Sequence, residues 1–248
     1  MALNICHDVI VDSERGRELA QHGSALFPIA CYAEDLSSYS VAWHWHEEFE
    51  YVLCMKGPLH VDVNKTRLTL QTGQGVFINS GALHAVEQAS EGTALLHSGV
   101  FHPRLTGGMD TIFWQKLIRP MTQPDAPAFF LLDESVPWQR QVLGCLHDSW
   151  KEVSDEPFDY ENRVRYHLSL ALRLLSTQCV GGRTKVSQQE QIASERMKQM
   201  LRFVEEHYSE ELTVQLIADS VALSESACLR SFRQMLGCCT SAAAGCRT

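Results

Sequence analysis

The chain has 248 residues, of which 45% are hydrophobic and 21% are charged, an ordinary composition for a folded globular protein. This composition excludes a disordered chain, a collagen-like fibre and a disulfide mini-scaffold. The formal net charge is −9, so any attraction to nucleic acid must be local to one segment. The sequence has neither a long apolar run nor a secretory signal at its start, and we expect a soluble, cytoplasmic protein with no membrane partner.

The region from about residue 40 to 101 has the pattern of short β-strands. Leu59, Val61 and Val63 alternate with polar residues, and glycines at 57, 73, 75 and 81 provide turn signals. Strands at this spacing predict a barrel or a sandwich.

Helical spacing replaces this pattern in the following region. Apolar residues such as Leu168 and Leu172 recur at helical intervals, which predicts helices near 135 to 153 and 157 to 179. Because this stripe has more apolar area than one barrel face would hide, we expect a homodimer through these two helices. The polar stretch 181–194 begins with a glycine pair and is interpreted as a linker.

The segment beyond the linker has the spacing of a helix-turn-helix. One amphipathic helix includes Met197, a second begins with Thr213 as its N-cap, and a third starts at Ser224 and ends before Gly237. The small residue Ala218 lies where the last two helices would cross.

Three histidines and a glutamate form a candidate metal site. His44, His46 and Glu50 lie at even spacing and therefore project from one face of a strand, and His84 would join them from a neighbouring strand. Three imidazoles and a carboxylate suit a divalent transition metal such as Zn, Ni, Fe, Mn or Cu. The alternative is a polar pocket that holds no metal.

These residues resemble the two conserved motifs of the cupin family over about residues 40–102. The first motif is complete, and the second is met at Gly73, Gly81 and His84 but has Asn79 and Gln88 where the family has proline and asparagine. A serine, Ser38, also replaces the glycine expected ahead of the first motif. The resemblance implies a metal held inside a small β-barrel by four ligands: His44, His46, Glu50 and His84.

Aromatic residues alternate with the predicted ligands. We expect them to form the other face of the barrel, against a core or a partner: Trp43, Trp45, Phe49 and Tyr51. Three further histidines have no spacing that brings them into the cluster: His60, His97 and His102.

The run from 212 to 237 resembles the DNA-binding domain of AraC-family transcription regulators. The resemblance rests on three features: a helix over 214–221 that begins with polar residues, the turn at Leu223-Ser224, and the combination Arg230-x-Phe232 followed by Gly237. On the family pattern, Cys228 and Phe232 are core residues of the recognition helix. The same pattern implies that four residues contact DNA: Ser224, Ser226, Arg230 and Arg233.

The order of the two motifs is also that of the AraC family. It implies an α+β protein with a cupin-like effector domain over 1–134, dimerisation helices over 135–180, a linker over 181–194 and a partial DNA-binding domain over 195–248. The resulting hypothesis is a ligand-responsive regulator that senses a small molecule in the barrel and binds promoter DNA, and that is not an enzyme. The alternative is a metal-dependent cupin enzyme, a dioxygenase or an isomerase.

Two observations lower the expected affinity for DNA. Residues 190–237 contain eight acidic and five basic residues, a weak electrostatic footprint for a nucleic-acid partner. After Gly237 the chain reads CCTSAAAGCRT, where the family continues to a second helix-turn-helix. We therefore expect DNA binding to be impaired by truncation.

Overall fold

A computed structural model describes residues 3–4, 22–123, 125–181, 188–207 and 212–236. A β-rich first part and a helical second part confirm the predicted α+β class. The strands in chain order are β1 Leu3–Asn4, β2 Ile29–Asp35, β3 Val41–His44, β4 Phe49–Lys56, β5 Leu59–Val63, β6 Thr66–Leu70, β7 Gly75–Ile78, β8 His84–Gln88, β9 Leu95–Phe101 and β10 Phe129–Leu132.

The strands form two sheets. One has six strands in the order β1-β2-β9-β4-β7-β10, and the other has four in the order β3-β8-β5-β6. All neighbouring strands pair antiparallel except β1 and β2, which are parallel. Val52 and Leu96 from the first sheet pack with Val61 and Val86 from the second, and these buried side chains form the core of the barrel.

Strand β2 lies before the predicted β-region and was not expected. Its first four residues, Ile29 to Tyr32, are all buried, so the alternation that marks a half-exposed strand is absent. A second unexpected strand, β10, pairs with β7 after a long connection.

The helices follow the barrel. Pro137 lies in the first turn of α1, where its missing N–H is tolerated, and Glu156 ends that helix in a left-handed conformation. Thr213 caps α4 as predicted, with its hydroxyl accepting the N–H of Leu216 at 3.2 Å. The helices are α1 Pro137–Asp155, α2 Tyr160–Gly181, α3 Gln188–Glu206, α4 Val214–Asp219 and α5 Glu225–Leu236.

The apolar stripe of α2 is buried within a single chain. Leu168, Leu172 and Leu175 are each 0% exposed, in a core with α1 and the six-stranded sheet. The prediction that this stripe forms a dimer interface is therefore wrong, because α1 and the barrel already cover it.

The predicted linker over 181–194 is shorter than expected. Its residues 188–194 form the first turns of α3, since glutamine, glutamate and alanine favour a helix and Ile192 continues the apolar spacing toward Met197. Residues 182–187 and the predicted tail after Gly237 lie outside the described residues. No helix in the described part of the chain is long and apolar enough to cross a membrane.

Candidate metal centre and helix-turn-helix surface

The structure brings together the four predicted metal ligands. His44 on β3 and His84 on β8 are direct cross-strand partners, and Glu50 faces them from β4 in the other sheet. His46 follows β3 and completes the group. All four side chains are buried, and their ligand atoms lie within 4.8 Å of one another, so the cluster can hold a metal ion.

Backbone carbonyls orient the three imidazoles. The Nδ1 atoms of His44 and His84 lie 2.8 Å from the carbonyl oxygens of Ala42 and Ala82, and Nδ1 of His46 lies 3.2 Å from that of Glu48. A carbonyl oxygen can only accept, so each Nδ1 carries a hydrogen and each ring directs its Nε2 toward the cluster.

The Nε2 atoms meet the carboxylate of Glu50. They lie 3.1 Å from Glu50 Oε2 in His46 and 2.8 Å in His84. A bare Nε2 and a carboxylate oxygen both carry lone pairs, which repel each other at these distances. A positive charge must therefore lie between them, either a proton on the ring or a metal ion. The donor set and its orientation therefore fit a divalent transition metal.

The pKa of Glu50 reflects two opposing effects. Burial raises it, but the charges and hydrogen bonds of His84 and His46 outweigh burial and hold the pKa well below its usual range. Glu50 is therefore anionic near neutral pH.

His22 lies beside the cluster and escaped sequence analysis. Its side chain is buried, its Nδ1 is 2.7 Å from the hydroxyl of Tyr32, and its ring centroid is 5.7 Å from that of His46. Neither local periodicity nor a motif surrounds His22, so only the tertiary structure could identify it.

A small cavity of about 30 Å³ opens beside the ligands inside the barrel. Polar groups line it together with apolar side chains from both sheets. A water-sized ligand needs about 10–15 Å³ by the same measure, so this space admits only a few atoms. Its polar lining residues are His22, Tyr32, Glu34, His44, Glu50 and Ser98.

The four aromatic residues lie on the other face, as expected. Phe49 and Tyr51 are fully buried in the core shared with α1, where the Tyr51 hydroxyl lies 3.1 Å from Oγ of Ser149. Trp43 and Trp45 pack against the helical part of the chain.

The three histidines predicted to lie outside the cluster have other contacts. His97 stacks on Trp150, and His60 pairs with the Thr69 hydroxyl at 3.1 Å. His102 accepts the N–H of Arg104 at the start of a short 3₁₀ helix.

The helix-turn-helix has the packing that the sequence predicts. Cys228 and Phe232 of α5 and Ala218 of α4 are each 0% exposed, and Ala222 makes the turn with a positive φ of 53°. The Oγ of Ser224 accepts the N–H of Ala227 at 3.3 Å. The four predicted DNA contacts are all exposed: Ser224, Ser226, Arg230 and Arg233.

Sequence comparisons identify both parts of the chain. Residues 37–99 match the cupin domain family. The chain is also 31% identical over 229 residues to YdeC of Bacillus subtilis strain 168, an uncharacterized HTH-type transcriptional regulator, and the match covers 89% of this chain and 75% of the relative.

Solved structures provide more distant comparisons. ToxT of Vibrio cholerae aligns with 88% of this chain and 98% of its own at 8% identity and a TM-score of 0.43. A variant of oxalate decarboxylase OxdC from Bacillus subtilis aligns with 30% of this chain and 21% of its own, at 21% identity and a TM-score of 0.27.

Proposed function

We propose that this chain, which belongs to the HTH-type transcriptional regulators, is an AraC-like member with a cupin domain that regulates transcription in response to a ligand bound at the histidine cluster. The similarity to an HTH-type transcriptional regulator over most of the chain supports this hypothesis over the cupin-enzyme alternative. One observation carries the proposal: a buried set of metal-ligating side chains and an exposed helix-turn-helix surface occur in the same chain.

We propose a divalent transition metal, such as Zn, Ni, Fe or Mn, as part of that ligand. His44, His46, Glu50 and His84 would hold it, and the carbonyl bonds to Nδ1 support this assignment because they direct each Nε2 inward. The limited volume of the barrel cavity favours the ion itself, or a molecule of a few atoms bound to it, as the small-molecule effector.

Metal content tests the first half of the proposal. Protein from metal-replete medium, purified without a chelator, should contain about one equivalent of metal by elemental analysis. His84→Ala should lose it, whereas His60→Ala should keep it because His60 lies on β5 away from the cluster. Metal far below stoichiometry in the unaltered chain would show that the cluster is only a polar pocket.

DNA selection tests the second half. We propose that promoter DNA binds at the surface of α5, through Ser226 and Arg230 at the bases and Ser224 and Arg233 near the phosphates. Metal-loaded and chelator-treated protein would each be used to select duplexes from a random pool. Because the acidic helix-turn-helix region is predicted to bind DNA weakly, we expect modest enrichment of one sequence motif that depends on the metal. The absence of any enriched motif in both arms would contradict the proposal.

We also propose that the regulator acts as a homodimer, as DNA-binding proteins with paired half-sites do. The buried stripe of α2 is not available, but the opposite side of that helix exposes Tyr166, which is 65% accessible, and Arg173. Light scattering at micromolar concentration would decide between a dimer and a monomer.

A further inference from the structure

A second and larger cavity lies between the barrel and α3, and we call it the α3 cleft. Its volume is about 440 Å³, against about 30 Å³ for the space beside the histidine cluster. Sites for small molecules usually measure about 300–1,000 Å³. The walls of the α3 cleft are the β5–β6 turn, the β7–β8 loop, residues 121–129 and one face of α3.

Asn79 fixes one wall of the α3 cleft. Its Nδ2 donates to the carbonyl oxygens of Met121 at 2.5 Å and Pro127 at 3.0 Å, and its Oδ1 accepts the N–H of Ser80 at 2.9 Å. Its backbone N–H donates to the carbonyl oxygen of Ala128 at 2.8 Å. Asn79 stands where the cupin motif has proline, which could make none of these bonds. This departure from the motif holds the cleft wall in place.

Lys198 of α3 brings a half-buried cation to the cleft. Its ammonium lies 4.5 Å from the centre of the Trp45 ring, a contact that favours the charged form. Burial lowers the pKa of Lys198, and the charge of Glu195 opposes this effect. No ion pair joins the ammonium to a carboxylate in the part of the chain that the structure describes. An anion from solution would therefore stabilise it, because a cation partly removed from water needs a partner.

The charges of the cleft favour a ligand with a single negative charge. Lys65 adds a second cation from the β5–β6 turn, and Glu195 adds a carboxylate from α3. Together with Lys198 these side chains give the lining a net charge of one positive unit. A ligand with several negative charges would be repelled by Glu195 once the two lysines are neutralised.

Uncharged polar side chains surround these charges. Oδ1 of Asn64 accepts the N–H of Leu83 at 3.3 Å, so the NH₂ of Asn64 remains a donor. Ser80 donates its hydroxyl to a backbone carbonyl at 2.7 Å, and its oxygen can still accept. The side chains of Thr66 and Ser194 also line the cleft. A ligand with several hydroxyl groups can exchange hydrogen bonds with this lining, whereas an apolar chain would leave polar groups unpaired.

From this geometry we propose that the α3 cleft binds a small hydroxylated carboxylate, whose charged group pairs with Lys198 and Lys65. The site goes beyond the proposed metal site and is independent of it, since the α3 cleft and the cavity beside the histidine cluster share no lining residue.

Methionine-methyl NMR of the full chain tests the proposal, because Met121 lines the cleft. The probe is sodium gluconate, a hydroxylated monoanion, titrated into metal-free protein in a buffer of low salt concentration. We expect a saturable shift of the Met121 methyl signal, which Met121→Leu identifies, and no shift at Met109, which is 67% exposed on another loop. No saturable shift of Met121 up to about 10 mM gluconate overturns the proposal.

Two comparison compounds separate the contribution of the charge from that of the hydroxyl groups. Sorbitol has the hydroxylated chain without the charge, and hexanoate has the charge without the hydroxyl groups. We expect each to bind at least about 10-fold more weakly than gluconate, because each leaves one kind of polar group unpaired. Binding of either compound as tight as that of gluconate overturns the assigned ligand class.

Variants of Lys198 test the role of the cation. Lys198→Gln should weaken gluconate binding about 10-fold or more, and Lys198→Arg, which keeps a cation, should retain most of it. Lys151→Gln is the matched control, because it removes the same charge on α1, where Lys151 pairs with Asp155. The proposal is overturned if Lys198→Arg binds no better than Lys198→Gln, or if Lys151→Gln loses as much affinity as Lys198→Gln.

Discussion

The imidazole of His97 on β9 stacks on the indole of Trp150 on α1, with ring centroids 3.5 Å apart and planes within 7° of parallel. Among the described residues, Nδ1 of His97 has no hydrogen-bond partner although it is buried. Burial, with the charge of His147 adding to it, lowers the pKa of His97 to about 4. The stack that joins helix and barrel is therefore built on a neutral ring.

This stack predicts a loss of stability in mild acid. The folded pKa of about 4 lies below the unfolded value of about 6.5, so between these values the unfolded chain binds more protons. Stability should thus fall as the pH falls from about 6.5 to 4. Urea unfolding at several pH values measures it, and His97→Phe, which keeps a stacked ring without a titrating group, should flatten the slope. Identical slopes in the two proteins would contradict this origin.

Gly99 packs directly beneath the ring of Tyr51. A Cβ atom at Gly99 would lie 2.3 Å from Cζ of Tyr51, which is fully buried, so Gly99→Ala should destabilise the fold by about 1–3 kcal/mol. Gly144 is the matched control, because it is exposed on α1 and a Cβ atom there meets nothing within 4 Å. Gly144→Ala should stabilise by about 0.5–1 kcal/mol, and urea denaturation would compare the two. Equal effects would refute the close contact.

Leu172 and Tyr166 lie on opposite sides of α2 and should have different effects when truncated. Leu172 is 0% exposed, so Leu172→Ala should cost about 2–5 kcal/mol of stability and leave the oligomeric state unchanged. Tyr166 is 65% exposed, and Tyr166→Ala should alter stability by only about 0.5 kcal/mol. If the exposed side of α2 forms the dimer, only Tyr166→Ala lowers the mass measured by light scattering. Loss of the dimer with Leu172→Ala alone, in a folded protein, would contradict this assignment.

Arg230 and Arg233 should contribute differently to DNA binding. Arg230→Ala should cost about 1–3 kcal/mol on the selected duplex and relax its preference at one base pair, because a guanidinium can bond guanine bidentately. Arg233→Ala should weaken binding to all duplexes by a similar factor. It should also lower the number of counterions released on binding by about one, which is read from the slope of log affinity against log salt concentration. Fluorescence anisotropy at several salt concentrations measures both. Equal losses on selected and scrambled duplexes for Arg230→Ala would remove its role in sequence recognition.

The sequence alone was sufficient where the signal is local. The even spacing of His44, His46 and Glu50 places three side chains on one face of an extended segment in any fold. The addition of His84 needed only the further knowledge that two short strands pair. The prediction for the three ligands depends on the backbone period, which the order of residues sets directly, whereas Cys228 and Phe232 were predicted as core residues from the resemblance to the AraC family.

Only the tertiary structure shows which element covers the apolar side of each helix or strand. The stripe of Leu168 and Leu172 has the same pattern whether a second chain or α1 covers it, and only the packed structure shows that α1 does. His22 reaches the cluster from a distant part of the chain, and Trp45 contacts Lys198 across 153 positions of sequence. Periodicity specifies which side chains must be buried, but contacts between distant segments depend on how whole elements pack, and no local spacing encodes that arrangement.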